Sequence, residues 1–210
     1  MSTEQLQLES LQRNASYASV AIATLLVITK IGAWLSTSSV AVLSSLVDSL
    51  LDIAASVITL LAVRLALRPA DKEHRFGHGK AEGLAALSQA VIISVSACYV
   101  LSEAIPRFFT PREIRNPEVG IGVMLLSIVL TLVLVAYQRY VLRRTGSMAI
   151  GADALHYQSD LLINLGVLVA LPLAAWTDNQ LIDPLVGIAI AAYILWSTFR
   201  IGRDALDVLL

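Results

Sequence analysis

The stretch VAVLSSLVDSLLDIAASVITLLAV, residues 40–63, decides the fold, because it is apolar or small throughout except for two aspartates. An apolar run of about 20 residues is long enough to cross the hydrocarbon core of a bilayer as a helix. Asp48 and Asp52 lie four residues apart in this run, and therefore on one face of the helix. The stretch predicts a transmembrane helix that carries a pair of carboxylates near its middle.

Five further apolar runs flank this one, near residues 17–35, 84–108, 119–137, 148–175 and 181–199. Of the 210 residues, 57% are hydrophobic and 15% charged, against about 25% charged in soluble proteins. We therefore expect an all-α membrane protein, a polytopic bundle of six transmembrane helices over residues 17–199. Residues 1–16 are expected to form a cytoplasmic segment, and residues 200–210 the start of a cytoplasmic region.

The basic residues predict the orientation, since Lys and Arg collect on the cytoplasmic side of membrane proteins. Eleven fall at one set of span ends: Arg13, Arg64, Arg68, Lys72, Arg75, Lys80, Arg139, Arg143, Arg144, Arg200 and Arg203. Three fall on the opposite side: Arg107, Arg112 and Arg115. Both termini should therefore be cytoplasmic. Lys30, in the first span, is expected to extend its ammonium to the nearest interface.

A second ionisable pair, His156 and Asp160 in ALHYQSD, lies in the fifth span with the same spacing of four residues. With about 1.5 Å rise per residue, Asp48 lies roughly 12 Å from the outer face and Asp160 roughly 18 Å from the inner one. In a core about 30 Å thick these depths coincide, and Asp52 is likewise level with His156. Leaving all four unpaired would cost on the order of 10 kcal/mol. We therefore expect one shared cage.

The donor set of this cage, three carboxylates and one imidazole, suits a divalent first-row ion and zinc most readily. Calcium would require more oxygen ligands, and copper(I) would require sulfur. A buried polar network that only joins helices is the alternative interpretation. Four other polar residues of the span are expected to serve helix packing or to support the ligands: Asp153, Gln158, Ser159 and Asn164.

A second cluster, Asp71, His74 and His78, lies in the connector RPADKEHRFGHGKAEG, residues 68–83. Its carboxylate and imidazoles stand beside a turn at Gly77, which favours a second metal site on the cytoplasmic side. Histidines of a basic loop that are simply solvated are the alternative. The single cysteine, Cys98, excludes an intrachain disulfide framework, and a formal net charge of −1 argues against nucleic acid as a partner.

These motifs resemble the cation diffusion facilitator family, in particular its bacterial ferrous-iron and zinc efflux branch. The resemblance covers the six spans, VDSLLD, PADKEHRFGHGKAE and HYQSD. It implies a transport site at Asp48, Asp52, His156 and Asp160, and a loop site at Asp71, His74 and His78. It also implies a homodimer in the bacterial inner membrane that exchanges cytoplasmic divalent metal for external protons. Members usually continue into a soluble cytoplasmic domain, so this chain is expected to be truncated.

Intramembrane enzymes are the main alternative class, and they carry recognisable sequence motifs. The sequence contains neither H-E-x-x-H nor G-x-S-x-G, the signatures of a zinc protease and of a serine hydrolase, so we expect no enzyme and no catalytic cofactor. A membrane metal sensor or assembly subunit would use the same ligands without transport and stays open. The ligand set also leaves cadmium, ferrous iron and manganese open beside zinc.

Overall fold

A computed structural model describes residues 3–37, 40–75, 77–109, 118–177 and 181–210. Two of the basic residues expected on the outer side, Arg112 and Arg115, lie outside these ranges. The described residues form six α-helices and no strand. The helices are α1 Thr3–Thr37, α2 Val40–Ala66, α3 Lys80–Phe109, α4 Glu118–Thr145, α5 Met148–Thr177 and α6 Ile182–Leu209.

The predicted all-α membrane fold is confirmed. Five helices contain an apolar stretch long enough to cross a bilayer, namely α1, α2, α3, α4 and α6. Helix α5 is 30 residues long, or about 45 Å at 1.5 Å per residue, which is also sufficient to span the membrane. This is the helix that carries His156 and Asp160.

Several helices extend beyond the predicted spans. Helix α1 begins at Thr3 rather than near residue 17, so most of the expected N-terminal segment is helical. Its first turns contain Gln, Leu and Glu, which are good helix formers even in water. Helix α4 likewise continues to Thr145 and α6 to Leu209. The apolar runs therefore predict the membrane-spanning part of each helix, and not the residues at which the helix begins and ends.

Helix α5 is the central element of the bundle, since it packs against each of the other five helices. Helices α3 and α6 pack extensively along one another, and α1 packs against both α2 and α4. Buried alanines line the contacts around α5: Ala149 shares a core cluster with Ala85, and Ala152 shares another with Ala86 and Ala205. Small side chains let helix backbones approach closely in a membrane.

The start of α5 is fixed by a residue of α3. Gly146 ends α4 with a positive φ of 66°, a conformation that glycine adopts without strain, and its N–H bonds to Leu142 O at 2.8 Å. Ser147 Oγ and the Met148 backbone N–H then donate to Glu82 Oε2 at 2.9 and 2.8 Å. Glu82 thus caps α5 and places a negative charge at its N-terminus, where the helix dipole favours one.

Candidate metal centres

The first candidate centre lies between α2 and α5. One nitrogen, His156 Nε2, lies 3.1 Å from Asp52 Oδ1 and 3.7 Å from Asp160 Oδ2. One ligand atom from each of these three residues lies within 4.8 Å of the other two. The imidazole is almost fully buried, while the two carboxylates are partly exposed. Two helices therefore aim three ligand atoms at one point inside the bundle.

Asp48 is not among these three residues. It lies one turn before Asp52 on α2, and its side chain is exposed on the surface of the single chain. It interacts electrostatically with Asp52 and with Asp160. Ionisable side chains of membrane helices generally face the bundle interior or a water-filled cavity rather than lipid. The structure thus brings three of the four predicted ligands together and leaves the fourth beside them.

The arrangement is suited to a cation. Among the residues that the structure describes, Asp160 Oδ2 is buried without a hydrogen-bond partner. A buried carboxylate oxygen without a partner is unfavourable by roughly 1–3 kcal/mol or more. A proton on His156 Nε2 would hydrogen-bond to Asp52 Oδ1 and lie opposite the charge of Asp160. A metal ion between the three side chains would bind all of them. Proton and metal therefore compete for the same atoms.

Asp153, three residues before His156, belongs to a separate buried network. Gln138 Nε2 donates to Asp153 Oδ2 at 2.6 Å, and Gln89 Nε2 approaches Oδ1 at 3.2 Å. Gln89 also donates to Thr59 Oγ1 at 3.0 Å. These contacts join α2, α3, α4 and α5 around one carboxylate, which matches the predicted role in helix packing. Gln89 and Gln138 were not predicted, although an amide inside an apolar run is a signal of interhelical hydrogen bonding.

Tyr157 lies between the cluster and this network. Its hydroxyl lies 2.6 Å from Ser56 Oγ, one turn beyond Asp52 on α2, and donates to Ser19 O at 3.4 Å. Its ring meets that of His156 edge to face at 5.6 Å between centroids. Because Tyr157 is 1% exposed, its position is fixed by packing, and it orients the imidazole beside it.

Lys30 corrects an expectation. Its side chain is 8% exposed and is packed inside the bundle. Nζ donates instead to Ser45 O at 3.0 Å and Ser49 Oγ at 2.6 Å on α2. The prediction that Lys30 extends to an interface was wrong, because it rested only on the distance from Lys30 to the end of the first span. Helix α1 packs against α2, the helix that carries Asp48 and Asp52. An ammonium near carboxylates gains more there than at a distant interface.

The second candidate centre is in the connector between α2 and α3. His74 Nδ1 lies 3.3 Å from Asp71 Oδ1, and His78 Nε2 lies 3.5 Å from Asp71 Oδ2. The two imidazole rings are 4.5 Å apart, and one ligand atom of each residue lies within 4.8 Å of the others. Asp71 and His74 are exposed, while His78 is largely covered. The structure therefore brings all three predicted loop residues together.

The loop cluster is held by backbone hydrogen bonds. Asp71 Oδ1 accepts the backbone N–H of His74 at 2.6 Å and that of Glu73 at 3.0 Å. The first of these bonds is the main reason that the pKa of Asp71 lies below its ordinary value. Gly77 has a φ of 82°, and its N–H bonds to His74 O at 3.0 Å, which turns the chain so that His78 faces Asp71.

Comparison with known proteins gives relatives over nearly the whole chain. Residues 16–210 match the cation efflux transmembrane domain. The cation-efflux pump FieF of Serratia proteamaculans is 48% identical over 204 residues, which cover 97% of this chain and 68% of the pump. The pumps of the same name from Pectobacterium carotovorum and Cronobacter sakazakii are each 50% identical over 196 residues, 93% of this chain and 65% of each pump. The chain thus spans about two thirds of the length of these relatives.

Proposed function

Because the chain belongs to the cation efflux family, we propose that it carries divalent metal cations out of the cytoplasm across a bacterial inner membrane. The observation that supports this most directly is the convergence of Asp52, His156 and Asp160 between two membrane helices, with ligand atoms within 4.8 Å of one another. We assign the transport site to these three residues and Asp48. The metal is the transported substrate, and no catalytic cofactor is needed.

Zinc is the substrate that we favour, with cadmium, ferrous iron and manganese as further candidates. One imidazole and carboxylate oxygens form a borderline donor set, which suits first-row dications better than calcium or copper(I). In this proposal Asp48 completes the coordination when the ion binds. It lies one helical turn from Asp52 on α2, and a fourth ligand gives the tetrahedral number that zinc prefers.

We further propose that export is coupled to protons by antiport. Imidazole and carboxylates bind a metal only when deprotonated, so metal binding releases protons from the same atoms. Thermodynamic reciprocity then requires that protons supplied from outside displace the metal. A channel with the same ligands would not have this obligation, because its ions would follow their own gradient.

The loop cluster is proposed as a second metal site on the cytoplasmic side. The eleven-to-three distribution of basic residues supports a cytoplasmic side for both chain termini and the connector. Since Asp71 and His74 are exposed, this site exchanges metal readily with solution and acts beside the transport path rather than on it. The proposed assembly is a homodimer.

Flux in sealed liposomes tests the proposal. With equal zinc on both sides, an imposed pH difference should move zinc in the parent protein, and collapsing the difference should abolish movement. His156→Ala should lose this flux, while the surface variant Asp204→Asn, on the exposed side of α6, should keep it. Metal binding without any flux would favour the sensor or assembly subunit over a transporter. Unchanged flux in His156→Ala would refute the assigned site.

A further inference from the structure

Lys30 has a charge that its hydrogen bonds do not require. Its ammonium donates to two uncharged oxygen atoms, Ser45 O at 3.0 Å and Ser49 Oγ at 2.6 Å. A neutral amide could donate to both. Burying an ammonium at 8% exposure is unfavourable unless nearby negative charge compensates for the loss of water. The reason for a cation at this position therefore lies beyond its direct contacts.

The nearby negative charge comes from the carboxylates of Asp48, Asp52 and Asp160, which form the acidic cluster. The ammonium interacts electrostatically with all three carboxylates. Its acceptor Ser49 is the residue after Asp48 on α2 and three residues before Asp52, so the hydrogen bonds hold the charge beside the cluster. Its contacts are to Ser45 and Ser49 rather than to a ligand oxygen, which leaves the carboxylates free for a metal ion.

The net charge of the site explains why a cation is needed at Lys30. Asp48, Asp52 and Asp160 contribute −3 when ionised, and His156 is neutral when its nitrogen binds a metal. A dication would then leave −1 on the three carboxylates alone. With the ammonium of Lys30 included, the empty site has −2 and the site with a dication has zero. A monovalent ion would leave −1 and a trivalent ion +1.

We propose that Lys30 is a built-in countercharge that matches the transport site to divalent cations and promotes their release. This inference rests on the proposed function and adds a residue that does not contact the ion. An uncompensated charge inside a membrane is unfavourable, so the neutral loaded site is the form that changes conformation most easily. The ammonium also repels the bound ion, which weakens binding and speeds dissociation.

The test compares two substitutions in a His74→Ala background, where the loop site no longer contributes to binding. Lys30→Gln keeps donors for Ser45 O and Ser49 Oγ and removes the charge, whereas Lys30→Arg keeps the charge. Zinc affinity is measured by calorimetry on purified protein, and turnover by flux in liposomes. Lys30→Gln should bind zinc about 5- to 150-fold more tightly, the range of typical coupling energies, and turn over more slowly. Lys30→Arg should keep the parent affinity.

A merely structural lysine would give the opposite sign, because loss of packing weakens binding. Equal or weaker zinc binding by folded Lys30→Gln would therefore overturn the inference. If that variant does not fold, Ser49→Asp decides, because an aspartate there pairs with the ammonium and cancels its charge. It should tighten binding as well, and an unchanged affinity would overturn the inference. Absence of zinc binding in the parent itself would instead refute the proposed function.

Discussion

Replacing Asp52 by asparagine removes the closest partner of His156 Nε2, at 3.1 Å, with little change in side-chain volume. Zinc sites with four ligands have apparent binding free energies of about 10–16 kcal/mol, or roughly 2.5–4 kcal/mol per ligand. At 1.4 kcal/mol for each factor of ten, loss of one ligand corresponds to a dissociation constant raised about 10²- to 10³-fold. We expect the lower end, since the amide oxygen of asparagine can still contact the ion.

Calorimetric titration with zinc in the His74→Ala background measures this change for the membrane site alone. Asp204→Asn serves as the matched control, because Asp204 is an exposed carboxylate on α6. Its dissociation constant should equal that of the parent. A folded Asp52→Asn protein whose dissociation constant stays within about twofold of the parent would refute the reasoning, since the ion would then be bound elsewhere.

Three further predictions concern the loop, the cap of α5 and the orientation. With metal removed, the turn that begins at Asp71 should keep its mobility between about pH 9 and about pH 8, as read by a spin label at Lys72. The pKa of Asp71 is lowered in the folded protein. Its carboxylate therefore stabilises the turn fully above the unfolded pKa of about 3.9, and this stabilisation is lost only as the pH falls through the lower folded pKa. Asp71→Ala should raise the mobility at both pH values. Glu82→Ala should lower the free energy of unfolding by about 1–3 kcal/mol, because it removes two hydrogen bonds to a charged acceptor. Glu82→Gln should lower it by less, and thermal unfolding in lipid measures both variants. A cysteine at Lys72, in a Cys98→Ala background, should resist an impermeant thiol reagent applied outside intact cells, and ready labelling would contradict a cytoplasmic connector.

The fold could be read from the sequence because its signals are local. An apolar run between polar residues is sufficient to place a membrane helix, and α2 and α5 begin at Val40 and Met148, where the predicted spans begin. The extensions at Thr3 and Leu209 were not predicted, because helix propensity in water, rather than hydropathy, controls them.

The candidate site could be read only partly, because depth along the membrane is one coordinate of three. Matching depths bring residues to one level and do not say which way each side chain points. That is why Asp52 meets His156 in the structure while Asp48, on the same helix, stays on the surface. The contact of Lys30 with α2 could not be predicted for the same reason, since it depends on which helices pack together.

The bond between Glu82 and the first turn of α5 also limits how the site can move. A helix anchored at one end behaves as a lever, and its displacement grows with distance from the anchor. His156 and Asp160 lie eight and twelve residues beyond Met148, or about 12 and 18 Å. A tilt of about 10° about the anchored end would shift His156 by roughly 2 Å and Asp160 by roughly 3 Å. Opening of the site would then be a hinged swing, in which Asp160 moves further from α2 than His156 does.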